Sequence, residues 1–545
     1  MVDKLFRHAR VAAVFASRTA LLLGFLLPTA ATAEPLELLA RIGPWPAVSE
    51  LIGYNGRIWF ANSVKFRNHN SADIHSYDPD TGAARYERHL FSQDAGTPTV
   101  AGGLLYWPFE DSRFSPGRAE FMVTNGRDWA WQGMPQGQAF HLHTMATLNG
   151  TLYAATSAWA AGLQGSEDGG RTWSVLYDHP TPPRRVSRIT RLVPDGDGLY
   201  AGLTFWSETG PRVWQWKEGT LSPVPGWPEG HAVSALTLHR GALYAVQHKN
   251  TTRTLLRAVE GRVEPVEGLA GAPVRALASD GSDLWAVGSD GAGGGALWRS
   301  ADGLAWTQVQ MFKGAVPLDV LAYRGAVWVG TKGPGDRGGL YGPLIANPFP
   351  GSPVPPALPA RPAAPDPGRL KDDLASLDTA LADPGSYAGH GRGLRPILRR
   401  LAAAGTPEAG AALAERLGGA LPEHEVRMFG GQLRLSAATM TRWYLLWAMA
   451  RTGHGKVPTA FLLEDWKAEP NDAEKYLDAP PAAAWAVSEL RQDDPETIDA
   501  LVARLDRPGD PDWLNGDLIG ALTVLTGQRF GYDTEAWRAW WRAQR

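Results

Sequence analysis

Between residues 37 and 345 one aromatic residue returns at nearly constant spacing, and this period limits the fold more than any other feature of the 545-residue chain. Each aromatic follows a glycine-bearing turn and one aliphatic residue, as in Asn55-Gly56-Arg57-Ile58-Trp59, Asn149-Gly150-Thr151-Leu152-Tyr153 and Arg324-Gly325-Ala326-Val327-Trp328. The anchors are Trp59, Tyr106, Tyr153, Tyr200, Tyr244, Trp285 and Trp328, spaced by 47, 47, 47, 44, 41 and 43 residues. A period in the forties built from strand-length alternating pieces corresponds to one four-stranded blade per repeat. The glycine supplies the positive φ of a hairpin between the first two strands. Seven anchors predict an all-β, seven-bladed propeller over residues 34–345. The last repeat runs into proline before a fourth strand, so the segment Leu36–Trp45, at the start of the mature chain, is expected to supply that strand and leave no sheet open.

Three turns carry a family resemblance. Ser166-Glu167-Asp168-Gly169-Gly170-Arg171-Thr172-Trp173 resembles the Asp-box of bacterial-neuraminidase-type (BNR) repeat propellers. Ser300-Ala301-Asp302-Gly303-Leu304-Ala305-Trp306 is a shortened version, and Thr124-Asn125-Gly126-Arg127-Asp128-Trp129 a degraded one. The resemblance implies hairpins between third and fourth strands whose Ser and Asp side chains bond turn backbone groups. Sialidases share the box but have six blades and an N-terminal arginine motif, from which Phe66-Arg67-Asn68-His69 departs, so sialidase activity is not expected.

Residues 346–368 are rich in proline and read as a linker, either a stiff spacer or a strap on a domain surface. From residue 369 to 545 the apolar period changes from two to 3.6, with Leu370, Leu374, Leu377 and Leu381 on one face. Further helices are expected at about 406–418, 436–452, 456–468, 480–491, 495–505 and 513–526. Ala482–Leu490 followed by Pro495–Val502 resembles a HEAT-type helical pair, and Leu525–Asp533 with Trp537–Trp541 resembles the end of bacterial HEAT-repeat proteins. The implied architecture is multidomain, a propeller followed by an all-α HEAT-like domain. That domain either buttresses the propeller or offers a surface to a protein partner.

The first 33 residues read as a secretory signal peptide. Lys4, Arg7, Arg10 and Arg18 precede a short apolar run ending before Pro28, and Ala31-Thr32-Ala33 is a small-x-small cleavage site. Cleavage after Ala33 removes four cations and Asp3, taking the net charge from −3 to −6. The expectation is a bacterial periplasmic or secreted protein with no membrane association after cleavage. The absence of cysteine excludes disulfides and thiolate chemistry. The lack of a basic excess gives no reason to expect nucleic acid binding.

In a propeller the 1–2 and 3–4 hairpins share one face, and the 2–3 and 4–1 connections share the other, where small ligands meet convergent polar groups. The longer loops belong to the first three repeats. Candidate ligand-binding residues are therefore Lys65, Arg67, His69, Glu110, Arg113, His141, His143, Trp159, Arg188 and Trp206. His141 and His143 share a strand face. They admit a divalent metal held with Glu110 or Asp111, a base in proton abstraction with Arg113 or Arg188 neutralising a carboxylate, or hydrogen-bonded rim residues without catalytic role. We take the third reading, and no metal or cofactor is expected. No phosphate-binding glycine loop, G-x-S-x-G elbow or H-E-x-x-H motif is present. The sequence thus reads as a non-catalytic exported binding or scaffold protein, with a glycan or protein ligand at the propeller face. The alternative is a carbohydrate-active enzyme at the central mouth. A uronate-polysaccharide lyase would use His141, His143, Arg113 and Arg188; a glycosidase would draw its carboxylates from Glu110, Asp111, Glu50 and Asp319.

Overall fold

Alternating apolar residues and glycine turns fold the strand-rich part into successive antiparallel meanders. The computed structural model describes residues 35–545 except 42, 65–71, 112–118, 135–140, 158–159, 180–185, 206–207, 290–292, 334–337, 344–346, 352–353, 360–366, 429–432 and 466–478. The expected signal peptide lies outside the described residues.

Among the described residues the meanders form seven units of four strands. Unit 1 is Ala47–Tyr54, Arg57–Ser63, Asp73–Asp78 and Ala83–His89. Unit 2 is Thr99–Ala101, Leu104–Pro108, Glu120–Thr124 and Trp129–Gly133. Unit 3 is His141–Leu148, Thr151–Ser157, Ala161–Ser166 and Ser174–Asp178. Unit 4 is Ser187–Asp195, Gly198–Phe205, Val213–Lys217 and Thr220–Pro223. Unit 5 is Ala232–His239, Ala242–Lys249, Thr252–Val259 and Arg262–Pro265. Unit 6 is Val274–Ser279, Leu284–Ser289, Gly295–Ser300 and Thr307–Phe312. Unit 7 is Val316–Tyr323, Ala326–Lys332, Gly339–Gly342 and, as its outer strand, Glu37–Arg41 from the other end of the strand-rich part.

All seven share one register. The anchor aromatic sits in the second strand and pairs with the residue seven positions before it: Ile52 with Trp59, Thr99 with Tyr106, Ala146 with Tyr153 and Val193 with Tyr200. Thr237 pairs with Tyr244, Ala278 with Trp285 and Leu321 with Trp328 in the same way. The anchor fills the seam to the following unit. Trp59 packs against Trp129 of unit 2 with ring centroids 6.1 Å apart. The Tyr106 hydroxyl donates to the Gly169 carbonyl of unit 3 at 3.2 Å, and Trp328 of unit 7 meets Tyr77 of unit 1 at 6.1 Å. The first strands also touch from unit 2 through unit 7 in turn, and those of units 7 and 1 touch each other. The sheets and their seams are those of a β-propeller.

The turn at Ser166–Trp173 is closed by side chains. Asp168 Oδ1 accepts from the Ser166 hydroxyl at 2.8 Å and from the Arg171 and Thr172 amides at 3.0 and 2.9 Å; the Thr172 hydroxyl donates to Oδ2 at 2.7 Å. Trp173 Nε1 donates to the Gly170 carbonyl at 3.0 Å. Asp302 repeats the pattern toward Ser300, Leu304 and Ala305, and Asn125 toward Arg127 and Asp128.

The proline-rich segment crosses the 1–2 hairpins where it is described. Phe349 lies against Gly56, Asn347 against Gly325 and Pro356 against Gly103. The Arg324 guanidinium donates to the Asn347 carbonyl at 2.7 Å, and Asn125 to that of Pro356 at 3.3 Å. It therefore straps units 7, 1 and 2 on the face opposite His141.

The remainder is helical: Leu370–Ala382, Leu394–Ala404, Pro407–Gly418, Ala437–Thr452, Ala460–Leu463, Ala479–Leu490, Pro495–Arg504, Leu514–Thr526 and Thr534–Gln544, with shorter turns between. Side-chain caps start several of them, with Thr406, Ser436, Asp494 and Asp533 accepting from amides three residues on. The helix expected at 456–468 is only Ala460–Leu463 among the described residues. The buried Arg504 guanidinium takes the Leu462 and Glu464 carbonyls instead, which ends the helical bonding there. A hairpin of Glu425–Met428 with Leu433–Ser436 was not anticipated.

Helices and sheets form one continuous core at units 1 and 2. Trp131 of unit 2 meets Trp485 edge-on at 5.5 Å. Arg88 pairs with Glu489 at 3.4 Å, and the Tyr532 hydroxyl donates to Asp73 at 2.6 Å.

Candidate binding site at the channel mouth

A bulge opens the first strand of every unit but unit 2. The register slips at Glu50-Leu51, His143, Thr190, Ser234, Arg275 and Leu318, in units 1, 3, 4, 5, 6 and 7. Bulges re-aim side chains and are frequent beside functional sites. Here they turn the residues nine and ten positions before each anchor toward the axis. Ser49, Glu50, Thr97, Thr144, Arg191, Ser234, Arg275 and Asp319 all occupy those positions and line one cavity of about 390 Å³, joined by Arg253 from the third strand of unit 5.

Charge is sorted around this channel. Units 1 and 7 supply the acids. The Thr97 hydroxyl donates to Glu50 Oε2 at 2.9 Å. Asp319 accepts from the amides of Leu51 at 2.7 Å and Val320 at 2.9 Å. Burial, reinforced by the charge of Glu50, pushes the Asp319 carboxyl up to about 6. Units 4 to 6 supply the cations Arg191, Arg253 and Arg275. Burial holds the latter two guanidiniums below their usual range, and the charge of Arg253 adds to the effect on Arg275. His248 beside them is pushed down to about 4 by burial and by both arginines, and its Nε2 lies 2.8 Å from the Ser234 hydroxyl.

Four of the sequence candidates come together next to this mouth. His141 and His143 stack with centroids 5.4 Å apart and planes at 19°. His141 Nδ1 lies 2.5 Å from the Glu110 carbonyl oxygen and 3.7 Å from its Oε1, while Arg188 reaches the same Oε1 at 3.5 Å. His143 Nε2 is 2.9 Å from the Ser157 hydroxyl. Burial first, then the charges of His141, Arg188 and Arg191, hold His143 well below the usual imidazole range, so it is neutral at pH 7. Asp111 follows Glu110 in the chain, and its amide donates to the Ser92 hydroxyl oxygen at 3.2 Å. Lys65, Arg67, His69, Arg113, Trp159 and Trp206 lie outside the described residues. Among the described residues no group of three or more His, Asp or Glu is placed to hold a metal ion.

Sequence reasoning centred on units 1 to 3 because their loops are longer, and so passed over Arg253, His248 and Ser234. The signal was available for the first strands, since counting back nine or ten residues from each anchor returns Glu50, Thr97, Thr144, Arg191, Ser234, Arg275 and Asp319. Arg253 has no such register because it enters from a different strand.

No protein-family model matches the sequence, and no relative was found among curated proteins. Among solved structures, a computationally designed protein, Ika8, is similar at TM-score 0.39 and 13% identity, over 56% of this chain and 99% of that one. A chain of the mitotic checkpoint complex is similar at TM-score 0.38 and 11% identity, over 62% and 99%. YCF48 bound to a D1 peptide is similar at TM-score 0.39 and 14% identity, over 58% and 97%. At these scores the likenesses carry no argument about the site, which rests on the geometry above.

Proposed function

We propose that this chain is an exported, seven-bladed Asp-box propeller that binds a ligand or partner at the mouth formed by its 2–3 and 4–1 connections, without catalysing a reaction on it. The observation that carries the reading is the set of polar and charged side chains that line one cavity from equivalent positions, nine or ten residues before each anchor. Asp168 and Asp302 supply the box hydrogen bonds, and the strap lies on the 1–2 hairpins, at the other end of the strands from that mouth. The helices act mainly as a buttress of units 1 and 2, with their outer surface free for a protein partner. The signal-peptide-like order of the first 33 residues supports a periplasmic or secreted location.

A carbohydrate-active enzyme is the second reading, favoured by the meeting of His141, Glu110 and Arg188. Its difficulty is that His143 is buried and engaged by Ser157. A glycan-array and polysaccharide-degradation screen of the full chain separates the two. Saturable binding without product supports the binding reading. Product formation that disappears in His141→Ala or His143→Ala overturns it.

A further inference from the structure

Among the described residues, the side chains of Arg253 and Arg275 make no ion pair and no hydrogen bond, and Arg275 Nε is buried without a partner. They line the same cavity and repel each other. Both are half-buried, and a cation that gives up part of its hydration without a partner loses free energy with no return. The carboxylates of the channel do not relieve them: Asp319 is occupied by two backbone amides, and Glu50 receives Thr97. Arg191, the third cation, turns one guanidinium nitrogen to the Thr190 carbonyl at 2.7 Å. Two interacting, uncompensated guanidiniums that line one small cavity are a receptor for an anion.

We infer that the channel mouth binds the carboxylate of a small organic acid, seated between Arg253 and Arg275 with Ser234 and His248 beside it. This rests on the binding reading above and names its ligand class. A carboxylate presents two coplanar oxygens that match the guanidinium fork. A doubly charged phosphate is disfavoured, because Glu50 and Asp319 line the same cavity. The volume of about 390 Å³ accommodates a small molecule and no folded partner. Neutral His248 contributes a hydrogen-bonding group without adding charge.

Calorimetric titration of the full chain with acetate, succinate, L-glutamate, benzoate and D-glucuronate tests this, with D-glucose and inorganic phosphate as comparisons. At least one carboxylate is expected to bind saturably, with glucose silent and phosphate weaker. Arg253→Met and Arg275→Met each keep most of the side-chain packing and lower that affinity by about tenfold or more, the loss of a charge-assisted pair. Both also raise the melting temperature of the unliganded chain, because the repulsion is gone; an arginine serving only the fold would lower it. Arg275→Lys retains part of the binding. Failure of every carboxylate to bind, binding unchanged in both methionine variants, or tighter binding of phosphate overturns the inference. If a glycan or protein ligand binds the full chain, is lost in Arg188→Ala and survives in both methionine variants, the mouth reading stands and this one falls. Saturable carboxylate binding that is lost in both methionine variants, with no macromolecular ligand found, supports both readings and makes the small acid the ligand.

Discussion

His89 and Asp517 meet in the interior with Nε2 and Oδ1 3.1 Å apart, although 428 residues separate them. The other ring nitrogen of His89 lies 2.7 Å from Asp73 Oδ1, and Asp73 also accepts from Trp45 and Tyr532. One imidazole thus ties the outer strand of unit 1 to the Leu514–Thr526 helix, inside a shell that water does not reach.

Alkaline pH should loosen this contact. Burial opposes the charge on His89, but hydrogen bonds to Asp517 and Asp73 and their negative charges overcome it and push the imidazole up to about 9. A folded value above the unfolded one of about 6.5 means the contribution is complete below pH 6.5 and disappears as pH rises through 9. Its upper bound is about 3 kcal/mol. Urea melts from pH 6 to 10 are expected to lose stability across that window, and His89→Gln to flatten the slope. An unchanged slope in that variant would refute the assignment.

Helix and strand approach closely at the same place. A Cβ added at Gly520 would sit 2.7 Å from His89 Cβ. Gly520→Ala should cost about 1–3 kcal/mol by overpacking. Gly418, at the exposed end of another helix, has nothing within 4 Å of an added Cβ, so Gly418→Ala should be neutral or slightly stabilising. Equal effects from the two in thermal melts would contradict the packing argument.

Trp485 is fully buried and touches Trp131 across the helix–sheet junction. Trp485→Ala should cost about 3–5 kcal/mol. Because the core is continuous, hydrogen exchange should accelerate together in the strands of units 1 and 2 and in the Ala479–Leu490 helix. Acceleration confined to the helix would show that the two parts are separable.

The Ser166–Trp173 turn predicts an acid limb. Burial is the largest single influence and raises the Asp168 carboxyl, but the hydrogen bonds from Thr172, Ser166 and Arg171 together outweigh it and pull the carboxyl down to about 2. A folded value below the ordinary 3.8 gives stability that is present above pH 3.8 and lost as pH falls through 2. After allowance for solvent screening Asp168→Ala should cost about 1 kcal/mol, and Asp168→Asn less. Chemical denaturation at pH 7 and pH 3 checks both; equal loss from the two variants would mean that the turn does not depend on the side-chain acceptor.

Local features were the most legible. The turn at Asp168 is contained within eight consecutive residues, and the anchor register follows from glycine turns next to the aromatics they position. Residues 425–436 escaped because a two-stranded hairpin inside a helical stretch has too few residues for its alternation to stand out. The helix at 456–468 was overestimated because Arg504, some forty residues on, captures its carbonyls.

The order of residues by itself determined the repeat: period, turn chemistry and aromatic seam are short-range properties, set by backbone sterics and side chains within one meander. Which charges share a space was decided only by the tertiary structure. Arg253 comes to Arg275 from another strand, and Asp517 comes to His89 from another part of the chain. Such meetings depend on how sheets and helices close around buried volume, and no local pattern encodes that closure.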